Sequence, residues 1–231
     1  GIRLLNALKL FWLNRKNGLK LLRTLNPFIL GKSALDLTVF YSSLAFLRHP
    51  TCDMVIAHFG ENGIGMQKLI RCGFTKASLI TFFYGYDIYT VPNIAAGAAR
   101  YAQLFKVTQT AVGVSRHMCN RMRELGCREE KIIYCPCPPN DKFFALPLRF
   151  SGNALLAVGR FVEKKAPQLT IQAFAMVQKM EPEAALVMVG DGPLRESCER
   201  LVESLGLSNV VFKGTLPHEE TAHLFTEAFC F

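Results

Sequence analysis

From Asp53 onward, short apolar runs alternate with helix-patterned stretches, and this rhythm restricts the fold more than any other feature of the chain. Met54–His58, Ser78–Phe83, 110–114 and 131–134 read as buried strands, separated by helical patterns over 63–72, 95–105 and 115–125. A second series repeats the order: strand Ala154–Val158, helix Pro167–Met180, strand Ala185–Val189, helix 194–205, strand 210–212, then a helix from about Glu219. Strands joined through helices pair in parallel by right-handed crossovers, so the expectation is an α/β protein with mostly parallel, doubly wound sheets. Between the two series Pro136, Pro138, Pro139 and Pro147 precede Ser151-Gly152-Asn153. Such a proline run continues neither a helix nor a strand, which predicts two tandem Rossmann-type domains, 1–150 and 151–231. Ligands of open α/β sheets bind outside the carboxyl ends of the strands, so the expected site lies in the cleft where those ends meet.

Half of the 231 residues are hydrophobic, which excludes a disordered chain. No run of roughly 18 uncharged apolar residues is present to span a bilayer. The eight cysteines include no Cys-x-x-Cys pair, and their scatter reads as free thiols of a reducing cytosol. Net charge is +9, yet residues 1–48 hold eight basic residues against Asp36 alone, a local +7. The remaining +2 speaks against a nucleic-acid surface spread over the fold.

That basic segment is helical in pattern. Leu4, Leu5, Leu8, Phe11 and Trp12 recur at helix spacing, Asn17-Gly18 interrupts, 19–25 resumes and Asn26-Pro27 ends the run. A third helix is expected from Ser33, as N-cap, to about Leu47. Two readings fit: a helical layer packed on a sheet with a wet basic side, or a surface for anionic lipid at the inner face of the plasma membrane.

The chemistry concentrates in Val158-Gly159-Arg160-Phe161-Val162-Glu163-Lys164-Lys165-Ala166-Pro167. A strand ends at a glycine, a basic loop follows, and a helix opens with proline near its first position. Amides at a helix N-terminus are unsatisfied donors with positive partial charge. Arg160 adds a planar fork for two phosphate oxygens and Lys165 a compact point charge, a combination suited to a diphosphate. The same loop also reads as a solvated basic turn. Val189-Gly190-Asp191-Gly192-Pro193 repeats the strand-to-helix geometry, with glycines that let backbone approach a ligand. His58 ends an apolar strand, whereas His218, followed by Glu219 and Glu220, reads as a helix start. No cluster has metal-ligand spacing, so no metal and no cofactor is expected. The absence of Gly-x-Gly-x-x-Gly argues against a nicotinamide-dependent oxidoreductase.

Three segments carry a resemblance: 157–165, then Val189-Gly190-Asp191-Gly192-Pro193-Leu194, then Val211-Phe212-Lys213-Gly214-Thr215-Leu216-Pro217-His218-Glu219-Glu220. They resemble the C-terminal domain of family-4 glycosyltransferases, retaining nucleotide-sugar-dependent enzymes of GT-B fold. Ile56-Ala57-His58-Phe59-Gly60, Thr81-Phe82-Phe83-Tyr84-Gly85-Tyr86-Asp87 and 113–132 are similar to the same family's N-terminal half. The likeness is to the bacterial capsule, exopolysaccharide and colanic-acid type and covers about residues 50–220.

It implies transfer of a sugar, with retention, from a nucleotide diphosphate sugar to a lipid-linked or polysaccharide acceptor. Arg160 and Lys165 would bind the donor diphosphate. Gly159, Gly190, Asp191, Gly192, Thr215 and Leu216 would line the donor site, with the Thr215–Leu216 backbone at the nucleobase. His58 would serve transfer chemistry, and Tyr84, Gly85 and Asp87 would face the acceptor. Two departures stand out: Tyr84 replaces the histidine of many relatives, and the family's paired glutamates lie beyond Phe231. The first strand-loop of the family is also missing, so the chain reads as a fragment cut at both ends and inactive by itself. A non-catalytic, nucleotide-binding module is the alternative.

Overall fold

All seven apolar runs form strands, and every pairing among them is parallel. The computed structural model describes residues 2–48, 52–89, 91–147 and 152–231. The chain divides into two compact units, 1–137 and 138–231. The division therefore falls between Cys137 and Pro138, not at the expected 150–151, which lie outside the described residues. The reason is packing: the segment after Pro138 belongs with the second unit, where the Phe143 ring meets Phe225 edge-on at 5.6 Å.

In the first unit, β1 (Met54–His58), β2 (Ser78–Phe83), β3 (Thr110–Gly113) and β4 (Ile132–Tyr134) lie side by side in chain order. Their connections are α5 (Gly60–Arg71), the short α6 (Tyr86–Tyr89) with α7 (Val91–Val107), and α8 (Arg116–Glu124). Right-handed crossovers that all step the same way put their helices on one face. The core agrees: Ala57, Leu79, Phe83 and Ala111 of the sheet pack with Ile64, Leu104, Phe105, Cys119 and Met122 of those helices. Among the described strands this sheet shows no reversal of order, and these helices pack on one face. Met54, Ile56 and Ile133 on its other face are exposed.

The basic N-terminal segment forms α1 (Ile2–Leu13), α2 (Gly18–Arg23), α3 (Pro27–Leu30) and α4 (Thr38–Arg48). Asn26 caps α3, its side chain accepting from the Phe28 amide at 2.8 Å, with Pro27 in the first turn. The helix expected from Ser33 instead starts at Thr38, whose amide donates to the Asp36 carboxylate at 2.8 Å. The Ser33 hydroxyl is not a cap; it accepts from Lys68 Nζ at 2.8 Å. These helices do not lie on the sheet. Ala7, Leu21, Leu30, Val39 and Phe40 pack on Leu69, Cys72 and Phe74, in and just after α5, as a second layer. The faces are also corrected: α1 buries Ala7 with Leu10 and Phe11 against it, while Leu4, Leu5, Leu8 and Trp12 stay exposed. Among the described residues no helix is long and apolar enough to cross a membrane.

In the second unit, β5 (Ala154–Val158), β6 (Ala185–Val189) and β7 (Val210–Gly214) are linked by α9 (Pro167–Met180) and α10 (Arg195–Ser204), and α11 (His218–Glu227) follows. The chain then returns to the far side of β5, where Cys230 bridges Leu155 in parallel. Leu156 N donates to the Cys230 carbonyl at 2.9 Å and Phe229 N to the Ala154 carbonyl at 2.8 Å. This reversal puts α9 and α10 over one face, with Ile171, Phe174 and Cys198 in the core, and α11 over the other, against Leu156 and Val189. The doubly wound arrangement is thus realised here.

Candidate functional site

At the carboxyl end of β5 the chain is laced to the end of β6. Gly159 N donates to the Val189 carbonyl, Phe161 N to the Asp191 carbonyl, and Leu194 N to the Phe161 carbonyl, at 2.9, 2.9 and 3.0 Å. This lacing explains two glycines. Gly190 has φ +130°, and a Cβ there would lie 1.9 Å from the Gly159 carbonyl oxygen; at Gly192 a Cβ would meet the Phe161 carbonyl oxygen at 2.6 Å. The close approach of the neighbouring loop by itself requires glycine at both positions. A bulge between Met188 and Val189 brings Gly214 opposite Val189, turning the end of β7 toward the same place.

Beyond Gly159 the loop closes in a single 3-10 turn, 163–165, and Ala166 takes a left-handed conformation (φ +47°) that starts α9 with Pro167 at its first turn. No side chain caps this helix. Its mouth stands beside Arg160 and Lys165, whose aliphatic carbons Cγ and Cδ lie 3.9 Å from the Cβ position of Gly159. Arg160, Lys165, Gly159 and Thr170 line one cavity of about 300 Å³. Among the described residues no ion pair or side-chain hydrogen bond engages either cation. An anion placed here meets two uncommitted positive charges and a helix dipole at once.

Arg160 also borders a second cavity, of about 940 Å³, at the ends of all three strands. Gly159, Gly190, Asp191, Thr215 and Leu216 share its wall, so six residues singled out in the sequence converge. Lys165 and Gly192 are not on that wall. Asp191 is engaged locally: one carboxylate oxygen accepts from Gly192 N at 2.7 Å and the other lies 3.8 Å from Arg195 Nη1. Sequence reasoning missed the aromatic side of this cavity, Phe143, Phe144, Phe225 and Phe231. The Phe225 and Phe231 rings meet at 4.5 Å. The signal is the Phe143-Phe144 pair, two adjacent aromatic residues within the proline cluster.

The remaining predicted residues belong to the first unit. His58, exposed at the end of β1, has Nδ1 2.5 Å from the Tyr84 hydroxyl, and either group can donate. Its ring stacks on Phe82 (5.3 Å) and Tyr84 (5.8 Å), and Phe59 flanks Tyr84 at 4.8 Å. Burial, with the neighbouring Cys137, Asp87 and Cys135, pushes the Tyr84 phenol up, so it keeps its proton at neutral pH. Asp87 does not face outward as expected. It is 1% exposed, and its carboxylate accepts from the amides of Gly60 (2.8 Å), Tyr84 (3.2 Å) and Gly85 (3.0 Å). The Tyr101 hydroxyl donates to the Asp87 carbonyl, and burial pushes that phenol up to about 12. Asp87 therefore ties the loops after β1 and β2 together and positions His58 and Tyr84. Gly85, at φ +115°, turns the chain under the Met118 methyl. Among the described residues no group of three or more His, Cys, Asp or Glu is arranged to hold a metal.

A parallel sheet with helices on both faces and a basic loop at its point of reversal is a Rossmann-like unit suited to a phosphorylated ligand. Residues 140–231 match the family model described as glycosyl transferases group 1. The chain is 27% identical over 183 residues to a curated sequence of Escherichia coli (strain K12) named as a colanic acid biosynthesis glycosyltransferase, WcaL, covering 78% of this chain and 45% of that one. It thus spans about half the length of the curated relatives it matches. Among solved structures, Anabaena Alr3699/HepE in complex with UDP superposes with TM-score 0.63 at 14% identity, over 79% of this chain and 53% of that one. TarM superposes with TM-score 0.61 at 13% identity, over 80% and 38%. At such identities these likenesses speak for the fold, which is that of GT-B glycosyltransferases.

Proposed function

We propose that this chain is part of a glycosyltransferase that moves a sugar from a nucleotide diphosphate sugar to a hydroxyl of a polysaccharide or lipid-linked acceptor. The observation that carries the reading is the pair Arg160 and Lys165, uncommitted, on one cavity with the uncapped mouth of α9. The guanidinium fork would hold two phosphate oxygens and the Lys165 ammonium the remaining charge. Negative charge grows on the diphosphate as the sugar departs, and fixed donors aimed there stabilise that change without reorganising. The larger cavity, with its aromatic side and the Thr215–Leu216 backbone, has room for the nucleoside. The group 1 match and the polysaccharide-pathway name of WcaL support sugar transfer as the chemistry. Retention of configuration follows from the family-4 resemblance of the motifs.

His58 and Tyr84 are the groups the first unit offers to the acceptor or the departing sugar. A phenol that keeps its proton is a donor and not a base at neutral pH, and this favours a second reading, a nucleotide-binding module without turnover. Titration of the full-length protein with UDP, GDP and NAD(H) tests the site. Binding of UDP or GDP that is lost in Arg160→Ala supports it, and undiminished binding in that variant, or a preference for NAD(H), refutes it. Release of sugar onto an acceptor then separates enzyme from module.

A further inference from the structure

The helices α9, α10 and α11 carry five serine and threonine side chains, and four of these hydroxyls close on their own backbone. Ser197 donates to the Leu194 carbonyl, Ser204 to Leu201, Thr221 to Pro217 and Thr226 to His223, all at 2.7–2.9 Å. Thr170, in the second turn of α9, is the exception: among the described residues its hydroxyl has no hydrogen-bond partner. The cause is the left-handed start of the helix at Ala166. The Ala166 carbonyl, which a threonine four residues on would ordinarily reach, already accepts from the amides of Leu169 at 3.0 Å and Thr170 at 3.3 Å. A carbonyl oxygen has two lone pairs, and both are taken. The hydroxyl that the backbone leaves over lines the same cavity as Arg160 and Lys165.

The two cavities at the strand ends divide these groups. Val158, Gly159 and Arg160 border both, whereas Lys165 and Thr170 border only the smaller. With the nucleoside in the larger cavity, Arg160 stands at the passage and Lys165 with Thr170 lies beyond it, where the second phosphate of a nucleoside diphosphate arrives. We infer, resting on the proposed nucleotide diphosphate sugar donor, that the Thr170 hydroxyl donates to an oxygen of that distal phosphate and makes the site selective for diphosphates over monophosphates. A hydroxyl donating to an anionic oxygen forms a short, charge-assisted bond. The sugar departs from this same phosphate, so the bond strengthens as negative charge grows there.

Calorimetric titration of the full-length protein with UDP and GDP, and with UMP and GMP, tests this. Thr170→Val keeps the branched shape of the side chain and removes the hydroxyl. It is expected to weaken binding of the preferred diphosphate about tenfold or more, the magnitude for a hydrogen bond to a charged group, and to leave the matching monophosphate within about twofold. Retained monophosphate binding shows that the variant is folded at the site. Thr170→Ser is expected to restore diphosphate binding. Lys165→Ala should show the same bias against the diphosphate, while Arg160→Ala should weaken both nucleotides. Equal loss of monophosphate and diphosphate in Thr170→Val overturns the inference, as does no loss of either or a serine that rescues nothing. Diphosphate binding that needs Arg160 but ignores Thr170 overturns it alone and leaves the proposed function standing. Binding that ignores Arg160 as well removes the proposed function with it.

Discussion

The two sheets are built from the same alternation, yet they gather their polar groups in different ways. In the first, β1 to β4 follow one another and the helices cover one face. The loops after β1 and β2 are then joined by a buried carboxylate, Asp87, which holds three amides and so fixes His58 against Tyr84. In the second, the chain crosses back beside β5 at Cys230, and helices cover both faces. Loops that leave neighbouring strands toward opposite faces separate, and a crevice opens between them. Gly159 and Arg160 stand at that crevice. Topology makes the site in one unit; a single side chain makes it in the other.

The largest effect expected from breaking this comparison is catalytic. Under the proposed sugar transfer, Arg160→Ala or Lys165→Ala in the full-length protein should lower turnover by about 100-fold or more, the magnitude for losing one preorganised donor. Near-normal turnover in both variants would remove the diphosphate role from the second unit. The counterpart in the first unit is Asp87→Ala, which strands the buried Gly60 amide and the half-buried amides of Tyr84 and Gly85. It should cost roughly 2–4 kcal/mol in urea unfolding, and a cost under about 1 kcal/mol would show that the loops hold without the carboxylate. Gly190→Ala drives a methyl into the Gly159 carbonyl and should destabilise the second unit by about 3 kcal/mol. Exposure of the buried Cys198 thiol to a labelling reagent reads that unit separately.

Alkali should act on the first unit. Burial pushes the Cys127 thiol up to about 11 from an ordinary 9.0. Between those values the unfolded chain has released a proton that the folded chain still holds, so stability present below pH 9 is lost as pH rises toward 11. A flat unfolding midpoint across that window would contradict the burial of Cys127. The smallest effect is of opposite sign. Gly65 sits inside α5 with open space around its Cβ position, and Gly65→Ala should stabilise by about 0.5–1 kcal/mol.

Much of this is legible in the sequence alone. Met54–His58, Ala154–Val158 and Ala185–Val189 are strands over the residues read from apolar runs, and α9 begins at Pro167 and ends at Met180 as its pattern indicates. Pro167 opens a helix without losing a bond, a fact of one residue's covalent chemistry. Ser33 misled because a cap is decided by competition: Asp36 lies closer to the helix that forms, and Lys68, distant in sequence, engages the serine. Gly190 and Gly192 were recognisable as glycines with a purpose, but the backbone that presses on them comes from about thirty residues away. Phe143 and Phe144 carry no local sign of their place, because nothing in the sequence marks a linker aromatic as a cavity wall.

By itself, then, the sequence determined the elements, their parallel pairing and the loop with cations before a helix, because periodicity, crossover handedness and helix-end chemistry act within a few residues of the chain. Only the tertiary structure decided which stripe of α1 is wet, where strand order turns back, which carboxylate is buried and which cations remain uncommitted. Each of those depends on what a remote segment leaves covered or exposed, and no local pattern of side chains carries that information.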